Sequence, residues 1–141
     1  MAHRGPSPHL SWDEIACKDG TPYPIVWRKE RAVHLGRLFE LIRREAGNKP
    51  ITVLSGFRTF DWNKKIRGAI NSQHMFGRAL DLRPPEGHSV TSFHRLIYNL
   101  PASSGLRGLG LYKTFVHVDI RESNFLAQWS GSGAKDDSPA D

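Results

Sequence analysis

Ser72-Gln73-His74-Met75-Phe76-Gly77-Arg78-Ala79-Leu80-Asp81, joined further on by Phe115-Val116-His117-Val118-Asp119, is the stretch on which the reading of this chain turns. Ala79-Leu80-Asp81-Leu82 alternates as a strand does and is stopped by Pro84 and Pro85. Gly77 allows a sharp turn before it, so the chain can return the Asp81 carboxylate to the point where His74 stands, and Ala79 leaves room beside them. His117 and Asp119 are two apart on a second strand and share one of its sides. A histidine, a carboxylate seven positions on and a histidine on a later strand are the ligands of an open zinc site. Zinc held by three such side chains keeps a position for water and lowers its pKa to about 7, which is hydrolytic chemistry. The competing reading makes His74 a loop residue, Asp81 the partner of an arginine and His117 a core histidine. The glycine and alanine around the three residues favour ligation.

Working outward, Ser11-Trp12-Asp13-Glu14 has the spacing of a capping box and opens a short helix through Cys17. Residues 29–46 repeat apolar positions at helical spacing, with Val33, Leu38, Leu41, Ile42 and Glu45 on a stripe widened by Leu35 and Phe39. Gly47 and Pro50 end that helix. Residues 51–54 form a short buried strand, and 60–67 a second helix after the turn at 55–59. Ser89 or Thr91 caps a third helix with Phe93, Leu96, Ile97 and Leu100 inside. Residues 109–112 and 115–120 make a hairpin about Lys113 and Thr114. The class is α+β, a small, mainly antiparallel sheet with helices packed on one side and the zinc site at the sheet. Residues 1–10 read as a flexible lead, 11–130 as the one domain and 131–141, rich in Ser, Gly and Asp, as a disordered tail.

With 141 residues the chain holds one core without needing disulfides, and its single cysteine, Cys17, can form none internally; it reads as a buried thiol. No apolar run is long enough to span a membrane, and residues 1–6 lack the apolar core of a signal peptide. Synthesis in the cytoplasm is expected, with any target outside the cell reached by lysis or another route. The net charge of +6 favours anionic partners, nucleic acid or cell-wall polymer. The basic residues are scattered and accompany no nucleic-acid motif, so no nucleic acid is expected. Of seven histidines, His3 and His9 lie in the lead, His34 and His94 inside helices and His88 in a loop, leaving His74 and His117.

The string Ser72-Gln73-His74-x-x-Gly77-x-Ala79-x-Asp81 resembles the SxHxxGxAxD signature of the M15 zinc peptidases, the D-Ala-D-Ala carboxypeptidase family that also holds phage peptidoglycan endopeptidases. Residues 55–59 (Ser-Gly-Phe-Arg-Thr), Trp62-Asn63 and Gly108-Leu109-Gly110-Leu111-Tyr112 leading to Phe115-Val116-His117-Val118-Asp119 resemble its other blocks in the same order. The resemblance implies one Zn²⁺ per chain on His74, Asp81 and His117. It implies that Arg58 faces substrate, where a guanidinium would neutralise a developing oxyanion; a helix-start salt bridge is the other reading. Ser72 would bind substrate or serve the turn. Many members carry an acid three positions before the last histidine, where this chain has Thr114. Asp119 is the nearest substitute as proton-transfer residue, its alternatives being to orient His117 or to pair with Arg121. Trp62, Phe76, Tyr112 and Trp129 line the cleft or belong to the core. The implied activity is hydrolysis of peptidoglycan stem peptides by a monomer, of carboxypeptidase or endolysin type and phage-encoded. A silent wall-binding or virion module is the second reading that Thr114 leaves open.

Overall fold

A row of residues running across five strands builds the molecule's working face. In the computed structural model, which describes residues 4–131, the elements in chain order are α1 (Trp12–Ile15), α2 (Arg31–Glu45), β1 (Val53–Ser55), α3 (Phe60–Lys65), β2 (Ala79–Leu82), α4 (Val90–Tyr98), β3 (Gly108–Leu111), β4 (Val116–Asp119) and β5 (Ala127–Ser130). The strands lie in the order β1-β2-β4-β3-β5, antiparallel except for the parallel β3–β5 pair. The register places Ser55 beside Asp81, Asp81 beside His117, His117 beside Gly110 and Gly110 beside Trp129. A second row joins Ala79, Asp119, Gly108 and Ala127.

Strand alternation sends the intervening residues to the other face. There Leu80, Leu82, Leu109, Val116 and Val118 are buried in one apolar cluster with Phe93 and Ile97 of α4 and with Leu35, Leu38, Phe39 and Ile42 of α2. Helix α4 lies on β3 and β4, and α2 lies on α4. This is the α+β arrangement expected, with the helices covering the apolar face.

The local signals explain most boundaries. The Ser11 hydroxyl accepts from the Glu14 amide while the Glu14 carboxylate accepts from the Ser11 amide, so the capping box is formed. Ser89, not Thr91, caps α4, its hydroxyl accepting from the Ser92 amide. Cys17 is buried. The stripe of α2 is centred on Ala32, Leu35, Gly36, Leu38, Phe39 and Ile42; Val33 and Leu41 are only half-buried and Glu45 is exposed.

Two differences stand out. Residues 4–10 do not hang loose. Leu10 is buried, the Arg4 carbonyl accepts from the Trp12 amide, and Glu40 of α2 accepts from the Ser7 hydroxyl, the His9 amide and His9 Nδ1. Residues 127–130, where no strand was expected, form β5, and its parallel pairing brings Trp129 over the working face. Before Gly77 the chain forms a 3-10 turn, Gln73–Phe76, capped by the Ser72 hydroxyl. Of the tail expected at 131–141, all but Gly131 lies outside the described residues.

Candidate metal centre

Two strands and one turn bring His74, Asp81 and His117 together. The 3-10 turn ends on Gly77 with φ at 68°, a left-handed conformation, and the Tyr23 hydroxyl donates to its carbonyl at 2.7 Å. A side chain at 77 would also run into the Trp27 ring, 2.6 Å from an added Cβ. The turn hands the chain directly to β2, where Asp81 lies opposite His117 of β4. The ligand atoms of the three residues all lie within 4.8 Å of one another, and all three side chains are buried.

Each imidazole has one nitrogen already assigned. His74 Nδ1 lies 2.7 Å from the Gly56 carbonyl, which can only accept, so Nδ1 carries hydrogen and Nε2 presents a lone pair. That lone pair faces Asp81 Oδ1 at 3.1 Å. His117 Nε2 donates to Asp119 Oδ2 at 2.7 Å, which turns Nδ1 toward the same Asp81 Oδ1 at 3.0 Å. Burial of His74 and the nearby Arg58 cation push its pKa down. With hydrogen on Nδ1, His74 Nε2 and Asp81 Oδ1 are two acceptors held face to face, a geometry suited to a shared cation. Ligands about 2.0–2.1 Å from one tetrahedral zinc stand about 3.3 Å apart, close to the separations seen here. The donor set of two imidazoles and one carboxylate suits zinc.

The surroundings hold the ligands in place. Burial alone would raise the Asp81 pKa, but the neighbouring His74 and His117 keep it far below the ordinary carboxylate range. Burial would likewise lower His117, yet its bonds to Asp119 and Asp81 lift it to about 10. Arg58 directs Nη2 at Asp81 Oδ2 (3.3 Å), Nη1 at Asn63 (3.2 Å) and Nε at Ser55 (3.1 Å), and its amide donates to the His74 carbonyl. It therefore stands against the Asp81 oxygen that faces neither imidazole. Asp119 is fully buried, on the far side of the His117 ring from Asp81. Its oxygens also accept the Arg121 amide (3.1 Å), Nε (2.9 Å) and Nη2 (2.7 Å). Burial opposes its ionisation, but His117 and Arg121 hold its pKa at about 2. The Ser72 hydroxyl accepts from the His74 amide, shaping the turn beneath the first ligand. Thr114 is exposed in the β3–β4 turn.

One contributor carried no sequence signal. The Gly56 carbonyl is a backbone atom, and its role depends on the fold alone. Gly110 sits below the Trp129 indole, where an added Cβ would come within 2.6 Å of Nε1. Trp129 lies 5.0 Å from the His117 ring, donates Nε1 to the Tyr112 hydroxyl at 2.9 Å and stacks under the Arg121 guanidinium. Trp62 is half-buried against the core, and Phe76 lies at the surface.

Comparison with known proteins agrees with this geometry. The zinc D-Ala-D-Ala carboxypeptidase of Streptomyces albus G is 49% identical over 43 residues, a stretch that makes up 30% of this chain and 17% of that protein. The match thus spans a small part of the relative's length. The profile described as Peptidase M15 matches residues 8–119, most of the described domain. The chain belongs to the peptidase M15 family.

Proposed function

We propose that this protein is a zinc-dependent peptidase that hydrolyses amide bonds in the stem peptides of bacterial peptidoglycan. The observation that carries the reading is the pair of acceptors, His74 Nε2 and Asp81 Oδ1, held 3.1 Å apart with His117 Nδ1 beside them, in a chain of a peptidase family. One Zn²⁺ per chain is held by His74, Asp81 and His117. Bound there, the ion supplies the Lewis acidity that polarises an amide carbonyl and acidifies water. The Gly56 carbonyl and the Asp119 carboxylate fix the two rings so that His74 Nε2 and His117 Nδ1 point inward. Arg58 steadies Asp81 and sets a positive charge beside the ligands, where it offsets negative charge developing on a substrate carbonyl. Ser72 acts by holding the turn under His74.

Asp119 is assigned here to orienting His117. Its oxygens bond His117 and Arg121, and the imidazole stands between it and the ligand cluster. A second reading follows from the same observation together with Thr114: with no carboxylate at that position, the domain binds wall peptides and cuts them slowly or not at all. Muropeptides incubated with zinc-loaded protein and analysed by mass spectrometry separate the two. New products that vanish with Asp81→Asn or His117→Ala support the peptidase, and their masses name the bond cut. An unchanged digest with retained wall binding establishes the second reading instead.

A further inference from the structure

Beside the metal centre the surface opens into a groove of about 660 Å³ whose apolar walls include Trp27, Phe60, Ile70 and Phe76. Phe60 is 69% exposed and Ile70 82%, a costly display for a chain this size and the mark of a binding surface. The groove meets the ligand cluster at Arg58, which lines it and also bonds Asp81, and Met75, adjacent to His74, lines it too. A substrate lying there therefore runs straight to the scissile position.

The loop carrying Ile70 is shaped rather than slack. Arg67 and Asn71, neither a glycine, hold φ at 59° and 61°, and Asn63 bonds the loop at the Ala69 carbonyl (2.9 Å) and the Gly68 amide (2.8 Å). Strained backbone of this kind collects at ligand clamps. The charge around the groove has one sign. Arg58 and Lys64 are the charged residues lining it, and no carboxylate does. Arg58 is engaged with Asp81, whereas Lys64 is exposed on the rim and has no ion pair among the described residues.

Apolar walls with a free cation at the rim select a straight alkyl side chain that ends in a carboxylate. Stem peptides offer such a group in diaminopimelate, whose chain ends in a carbon bearing both ammonium and carboxylate. Lysine offers the same alkyl chain ending in ammonium alone, which Lys64 repels. We infer that this groove seats the long side chain of the stem peptide and that Lys64 makes the protein select diaminopimelate over lysine at that position. The inference rests on the proposed wall-peptide substrate.

The test uses the zinc-loaded full chain and two synthetic muropeptides differing only in that residue, with cleavage followed by chromatography and binding by calorimetry. The diaminopimelate peptide is expected to be favoured about fivefold, the worth of one exposed ion pair, and Lys64→Glu to invert the preference. Phe60→Ser with Ile70→Ser should weaken binding of both peptides at unchanged zinc content and circular dichroism. Equal treatment of the two peptides, or a preference untouched by Lys64→Glu, overturns the inference while leaving the peptidase standing. A binding preference without any cleavage upholds the groove and removes the peptidase. Neither binding nor cleavage removes both.

Discussion

Replacing Asp119 by asparagine keeps the shape of the side chain and reverses the hydrogen-bonding sense of one of its two terminal atoms, at a site that water does not reach. One carboxylate oxygen faces His117 Nε2 and Arg121 Nη2, the other the Arg121 amide and Nε. Whichever way an amide turns, its NH₂ therefore meets donors. Two costs follow. The buried ion pair between Arg121 and Asp119 is lost, which costs about 3 kcal/mol of folding stability. His117 loses the acceptor that holds hydrogen on Nε2 and turns Nδ1 inward, a loss that lowers metal affinity by about 10- to 100-fold, or about 1.4–2.7 kcal/mol. The assays are urea denaturation of metal-free protein and competition for zinc against a chromogenic chelator. A proton-transfer role for Asp119 makes a different forecast: turnover collapses while zinc affinity stays. Zinc affinity within about twofold of the parent, with stability changed by less than about 0.5 kcal/mol, would refute the orienting role.

Gly108→Ala should damage the same network from the neighbouring strand, because an added Cβ would lie 2.1 Å from Asp119 Oδ2 and the carboxylate has nowhere to retreat; a loss of about 2 kcal/mol in urea denaturation, with weakened zinc binding, is expected. Zinc at about 100 times its dissociation constant should stabilise the parent by about 2.7 kcal/mol, read as a rise in thermal midpoint that a chelator reverses and that Asp81→Asn or His74→Ala abolishes. Glu40 gives a pH signature far from the metal centre: burial alone would raise its pKa, but hydrogen bonds from Ser7 and His9 hold it below its ordinary value. The stability it lends is thus complete above its unfolded pKa of about 4.3 and is lost as pH falls through the depressed folded value. Glu40→Gln should flatten the fall in stability between about pH 5 and pH 3, and release of residues 4–10 should appear as faster amide exchange.

How far the sequence alone could reach follows from which contributions are local. The capping box at Ser11, the alternation of Ala79–Leu82 and the turn at Gly77 are decided by residues a few positions apart, and each could be read directly, whereas the α4 cap lay between Ser89 and Thr91 until the structure placed Ser89 there. The three residues of the candidate centre were legible because the turn at Gly77 and the spacing on two strands limit where their side chains can go. Strand order and register were not, and they do the rest: the row Ser55, Asp81, His117, Gly110, Trp129 exists only once β4 lies between β2 and β3 and β5 adds in parallel. Strand β5 escaped notice because Ala127-Gln128-Trp129-Ser130 carries little apolar alternation; it is an edge strand held by pairing with β3 rather than by propensity. Its Trp129 explains Gly110, a residue whose lack of a side chain makes sense only with the indole above it. Asp119 illustrates the same limit at the level of roles. Its distance of two residues from His117 shows a shared side of β4 but not which ring nitrogen it meets. That choice, made by Arg121 on one side and Asp81 on the other, places Asp119 behind the His117 ring, where it directs Nδ1 toward Asp81.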